Sequence, residues 1–252
     1  MNGFESVATL AILFVRPGML VLATPFLGSN YAPPQLRVGL MVLLTILLAP
    51  FVAVPAPLAV SGLVAVVARE MAIGLAIALA IRAVIVGAEF AGHFSGYQIG
   101  LSVGSLIDPI TGVRNNIFAI LYANLTIVIC FATNAHHLVL RALVDSYRTL
   151  PIGLGGIDPG ATAGVAALLG VVFVLGVRIA APVIIVLLLV ELALGLLGRV
   201  APALNVMIAG APVRLLLGLL VISATLLVLP SLVRTYVPIA LRVAGQLAGG
   251  LR

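Results

Sequence analysis

Apolar stretches recur along the chain at residues 7–27, 38–54, 58–81, 83–107, 117–144, 161–198 and 203–230, and the breaks between them are brief: proline, glycine, asparagine or an isolated charge. A membrane-crossing helix needs about 20 apolar residues, so the pattern predicts an all-α, polytopic helical membrane protein. Several runs reach that length only by admitting a proline, an arginine or a glutamate, which predicts helical hairpins and broken helices. Pro50, Pro55 and Pro57 interrupt the uncharged run from Val38 to Ala68. Each removes a backbone donor and crowds the preceding turn, so a hairpin is expected there. Residues 29–34 (SNYAPP) predict a turn after the first helix, and residues 150–160 (LPIGLGGIDPG) the longest loop. The chain is read as a single helical domain, 1–252, with helical halves at about 1–149 and 161–252 joined by that Gly/Pro-rich loop. Beyond Ser231, Arg234, Arg242 and Gln246 alternate with apolar residues at near-helical spacing, which predicts an amphipathic terminal helix.

Composition sharpens this picture. With 63% apolar and 8% charged residues and a mean hydropathy of +1.34, a water-soluble globular domain is excluded, since such domains carry about a quarter charged residues. All thirteen cations are arginine, against seven carboxylates. They stand singly instead of forming the basic patch that phosphate binding needs, so no nucleic-acid partner is expected. Cys130, alone in an apolar run, reads as a small buried hydrophobe. The N-terminal stretch carries Glu5 and no early cation, so it is read as a retained first helix and not a cleaved signal peptide.

Arg69, Glu70, Arg82, Glu89, Arg178 and Glu191 sit within or between the apolar runs. Each costs roughly 2.5–3.5 kcal/mol at the bilayer centre, so all six are expected to be buried against partners. Arg82, Glu89 and His93 fall on nearly one helical face, because seven and eleven residues are close to whole turns. Arg178 and Glu191 do not share a face, and their partners must come from other helices or other chains. These residues fit a polar path for protons, ions or a polypeptide, a set of structural pairs that fix helix register, or helices lying inside a protein assembly.

A small residue recurs at every fourth position through Ala88, Gly92, Gly96, Gly100 and Gly104. Such a stripe lets a second backbone approach closely; the competing reading is a weak helix, since each glycine costs about 1 kcal/mol relative to alanine. The polar, turn-rich segment 107–116 follows at once and is a candidate movable element. Chemistry is otherwise sparse. His136 and His137 point about 100° apart on a helix and lack the spacing of a metal pair. Gly92-His93-Phe94-Ser95-Gly96 loosely suggests an intramembrane serine site without a second histidine as base. No lysine exists to complete a phosphate-binding loop. Neither a metal, a cofactor nor an enzymatic activity is expected.

Taken in order, the motifs resemble the FliR family of flagellar export-gate proteins (FliR/SctT). They are Pro33-Pro34 with Arg37, Arg69-Glu70 with Gly74, Gly87-Ala88-Glu89, the stretch 96–101 (GYQIGL), Asp108-Pro109, Asn134-Ala135-His136-His137, Ser146 with 150–153 (LPIG), 192–202 (LALGLLGRVAP), Leu204-Asn205-Val206, Gly210 and Pro212. Ala203 departs from the family's usual glutamine, and Ala211 from its usual aromatic. The resemblance implies a non-enzymatic subunit of the type III export gate in the bacterial inner membrane and flagellar basal body. It implies packing with FliP and FliQ, contact with FlhB and FlhA, passage of unfolded polypeptides, and projection toward the periplasm. It also implies that Gly104, Ser105, Leu106, Ile107, Asp108, Pro109, Ile110, Thr111, Gly112, Val113, Arg114, Asn115 and Asn116 plug the closed channel. The alternatives are the homologous injectisome subunit, a secondary transporter with broken helices around Pro182, and an intramembrane protease using Ser95.

Overall fold

The computed structural model describes residues 3–25, 33–52, 60–100, 116–152, 161–201 and 206–249. Among these, the regular elements are α1 (Gly3–Ala23), α2 (Pro34–Leu48) with a 3-10 turn (Ala49–Phe51), α3 (Val60–Ile99), α4 (Ile117–Ala132), α5 (Ala135–Thr149), α6 (Ala161–Val200) and α7 (Val206–Gly249). The fold is all-α, as the apolar pattern requires. Pro34–Phe51, Gly62–Ile99, Ala163–Val200 and Gly210–Gly249 are long and apolar enough to cross a membrane, and α4 with α5 makes a fifth span if the broken pair counts as one.

Local sequence explains where helices start and stop. Pro34 opens α2 at a position where its missing N–H is not needed. The helix gives way to a 3-10 turn that contains Pro50; Pro55 and Pro57 lie outside the described residues. Three boundaries differ from the sequence expectation. Stretches 58–81 and 83–107 belong to one 40-residue helix, α3, up to Ile99, because Arg82 is a good helix former and one charge does not interrupt a backbone. The run 117–144 is instead cut at Thr133–Asn134, where Asn134 takes a left-handed conformation with φ of 58°, one that asparagine tolerates better than most residues. The run 203–230 and the amphipathic tail are one 44-residue helix, α7. Helix α6 likewise runs unbroken through Pro182. Without water to satisfy freed backbone groups, continued helix is the favoured state even through proline. At about 1.5 Å per residue, α3, α6 and α7 each follow roughly 60 Å, about twice the hydrocarbon thickness of a bilayer.

The chain forms two compact units, each drawing on both sides of the segment 153–160. One comprises Met1–Ala83, Asn134–Gly170 and Val237–Arg252, the other Val84–Thr133 and Val171–Tyr236. In the first, α1 packs on α2 through Val21, Met41 and Leu44, with Phe14, Leu40 and Leu140 against them. Ile73, Ile77, Val139 and Leu143 are also buried there. The terminal part of α7 is amphipathic, with Ala240, Ala244 and Leu247 buried and Arg242 and Gln246 exposed. In the second unit, α3 and α6 cross through glycines. A Cβ on Gly87 would stand 3.1 Å from the carbonyl oxygen of Val172, and one on Gly176 would stand 3.0 Å from that of Gly87. Tyr122 of α4 and Thr225 of α7 join their hydroxyls at 2.5 Å.

Candidate functional site

The first unit is organised around a charge in the middle of its first helix. Arg16 and Glu70 have wholly buried side chains. Arg16 Nε donates to Glu70 Oε2 at 2.7 Å and Nη2 donates to Oε1 at 2.9 Å, the two-pronged geometry that makes arginine–carboxylate pairs strong. The remaining donors reach α5: Nη1 to Ser146 Oγ at 2.9 Å, and Nη2 to the Leu150 carbonyl at 3.0 Å. That carbonyl is one of those a helix C-terminus leaves without an internal partner, and it attracts positive charge. The guanidinium carbon also lies 4.1 Å from the centre of the Tyr147 ring, within cation–π range. One side chain of α1 therefore clamps α3 and the end of α5.

Two further residues prepare this clamp. Pro17 lies inside α1 and has no N–H to offer the carbonyl four residues earlier. That carbonyl belongs to Leu13, and Tyr147 donates its hydroxyl to it at 3.1 Å. Gly74, one turn beyond Glu70, brings α3 against α1 so tightly that a Cβ would stand 2.5 Å from the Arg16 carbonyl oxygen. Sequence reasoning selected Glu70 and missed Arg16. The available signal was a lone arginine, followed by proline, inside an apolar first helix.

The second unit holds both ends of the segment 101–115. Helix α3 stops at Gly100, whose φ is +90° and whose N–H is bonded to the Tyr97 carbonyl at 3.1 Å, a left-handed helix terminus suited to glycine. Helix α4 begins at Asn116, whose Oδ1 accepts from the Phe118 N–H at 3.0 Å while its Nδ2 donates to the His93 carbonyl at 3.2 Å. The glycine stripe makes this seat possible. A Cβ on Gly92 would stand 2.5 Å from Ala119 Cα and from the Phe118 oxygen, and one on Gly96 would overlap the Asn116 amide. Gly100, expected to pack like its neighbours, has open space where its Cβ would be; it terminates the helix instead. Gly104 and the plug segment through Asn115 lie outside the described residues. Gly96, against which Asn116 lies, is one helical turn, about 6 Å, from Gly100, so the chain departs and returns at neighbouring points.

The six charges expected to be buried divide differently. Glu70 is buried, Arg69, Glu89 and Glu191 are partly exposed, and Arg82 and Arg178 are exposed. The chain leaves those two open because their sides of the helices are uncovered: Leu75 near Arg82, and Phe173, Val174 and Val177 near Arg178, are exposed as well. Glu89 lies 3.9 Å from His93 on the same helix. Glu191 of α6 pairs with Arg214 of α7 at 3.7 Å, both side chains about 40% exposed. Arg178 lies 5.8 Å from the Tyr236 ring centre. Ser95 donates to the Ala91 carbonyl of its own helix at 2.8 Å, which is a core role and not that of an activated nucleophile. Among the described residues there is no group of three or more histidine, cysteine or acidic side chains able to hold a metal.

These features define a polytopic helical membrane protein with a charge clamp inside and further charge open along its long apolar helices. The model of the bacterial export proteins, family 1, matches residues 7–238, and the chain belongs to that family. It is 31% identical to the flagellar biosynthetic protein FliR of Caulobacter vibrioides, over 90% of this chain and 92% of the relative. It is 30% identical to FliR of Pectobacterium carotovorum, over 86% and 84% of the two chains. It is also similar to the secretion system apparatus protein SsaT of Salmonella typhimurium, 27% identical over 86% of each.

Proposed function

We propose that the chain is a non-enzymatic subunit of the flagellar type III export gate in the bacterial inner membrane. It forms, with FliP and FliQ, the channel through which unfolded flagellar proteins leave the cell, and the assembly contacts FlhB and FlhA and projects toward the periplasm. The observation that carries this reading is exposed charge on helices that are otherwise apolar: Arg82 and Arg178 are open, and the Glu191–Arg214 pair is partly so. Each would cost roughly 2.5–3.5 kcal/mol against lipid at mid-bilayer, so they belong against other polar chains or an aqueous conduit. The injectisome reading rests on the SsaT likeness; the higher identity to two flagellar FliR proteins favours the flagellum.

Within that gate, residues 104–116 act as the plug. Its exit point is anchored by Asn116, which caps α4 and is bonded to α3, so the excursion leaves from and returns to one fixed place. The test has two arms. Coexpression with FliP and FliQ yields a copurifying complex; failure to copurify overturns the gate reading. Replacing residues 104–115 with a short linker, while keeping Asn116, leaves the complex formed but lets small ions through. Unchanged conductance in an assembled complex overturns the plug.

A further inference from the structure

We propose that the cavity between the end of α2 and the outer side of α5 binds an anionic glycerophospholipid, acyl chain inward and phosphate on Arg148. The cavity measures about 540 Å³ and is walled by Leu47, Phe51 and Val52 on one side and Val144, Tyr147 and Arg148 on the other. Its α2 wall is openly apolar, with Leu47 63% and Phe51 80% exposed. The Tyr147 hydroxyl is engaged with the Leu13 carbonyl, leaving ring surface to the cavity.

Three observations select a lipid over another occupant. Phe51 ends a stretch long enough and apolar enough to cross a membrane, and a cavity at the end of such a span would lie at headgroup level. Helix α5 is amphipathic: Val139, Leu143 and Tyr147 are buried, while Arg141, Asp145 and Arg148 are exposed, the composition of a helix lying at a membrane surface. Arg141, Val144 and Arg148 stand at i, i+3 and i+7, on one stripe, and of the two cations Arg148 lines the cavity. Arg148 is 78% exposed, and Asp145, the acid near it, is 4.0 Å away and 66% exposed. An exposed pair at that distance adds little and leaves the cation available to a phosphate. Arginine also lays its aliphatic stem along apolar surface with its charge outward, which suits the mouth of this cavity.

Native mass spectrometry of the delipidated full chain in detergent tests the assignment, with phosphatidylglycerol, phosphatidylcholine or inorganic phosphate added. The wild type retains one phosphatidylglycerol at about fivefold lower concentration than phosphatidylcholine, the preference expected of one arginine near an anionic headgroup; inorganic phosphate alone is not retained. Arg148→Gln removes the preference while keeping weak binding of both lipids. Val144→Trp, which fills the cavity, removes both. Equal retention of the two lipids by the wild type, or retention of inorganic phosphate alone, overturns the proposal and needs no variant. So does a folded Arg148→Gln chain that behaves as wild type, or loss of the lipid when partner chains cover the cavity.

Discussion

Replacing Glu70 by glutamine keeps the size of the side chain and removes its charge, leaving the Arg16 guanidinium wholly buried without a counter-charge. Breaking a buried pair from one side costs about 3–5 kcal/mol, because the surviving charge stays out of water. That is at least about a fifth of the total stability typical of a domain, about 5–15 kcal/mol. The midpoint of thermal unfolding, followed by circular dichroism of the purified chain in detergent, should fall by about 10 °C, at 2–4 °C per kcal/mol for a chain of this size. Arg16→Met should cost about as much. The double variant Arg16→Met/Glu70→Leu should be milder than either, losing about 1–3 kcal/mol, since what remains unsatisfied is the Leu150 carbonyl. Exchanging the two residues, Arg16→Glu with Glu70→Arg, should not restore stability: the clamp has a direction, and a carboxylate at position 16 would face the Leu150 carbonyl as acceptor against acceptor. A Glu70→Gln midpoint within a degree or two of wild type, or full rescue by the exchanged pair, would refute the reasoning.

Tyr147→Phe leaves the Leu13 carbonyl without its donor and should cost about 1–3 kcal/mol; adding Pro17→Ala restores an N–H to that carbonyl and should recover part of the loss in the same melting assay. Gly74→Ala should destabilise by about 1–3 kcal/mol, because its Cβ meets backbone of α1. Gly170→Ala, a helical site with open space around it, should instead stabilise by up to about 1 kcal/mol; equal effects at the two sites would contradict the packing described. Gly96→Ala displaces the Asn116 amide and should remove most of what that cap contributes, about 0.5–2 kcal/mol, with a rise in ion leakage of the assembled complex as the second readout.

How much of this was legible beforehand follows from what a linear pattern carries. Apolar runs and proline breaks gave the helical class, since helix in an apolar medium is dictated by backbone hydrogen bonding whatever the tertiary contacts. They misplaced the joints at Arg82 and Ser231, because charge and amphipathicity change what a helix faces without stopping it. The glycine stripe disclosed close approach at Gly92 and Gly96, yet the same spacing at Gly100 concealed a helix end, which only a backbone angle reveals. Glu70 stood out as a charge within an apolar run. Its partner did not, because Arg16 lies 54 residues away and no spacing along the chain connects the two.

The unequal burial of the charges bears on mechanism as well as on stability. Arg16 and Glu70 are satisfied within one chain, so no neighbour is needed to retain them in an apolar setting. Arg82 and Arg178 stay exposed, Arg178 with the Tyr236 ring 5.8 Å away, and the side chains exposed near them are leucine, phenylalanine and valine. A secondary transporter would place its charges at helix interruptions near mid-membrane, around a substrate site. Here α6 passes Arg178 and Pro182 as one continuous helix, without the interruption that would line a transporter's substrate site. Continuous helices about twice as long as the hydrocarbon layer is thick, bearing open cations on apolar faces, are better matched to neighbours that supply both apolar contact and counter-charge. The internal clamp then has a definite part to play. It ties α1, α3 and the end of α5 together within one chain, so that assembly need satisfy only the charges left outside.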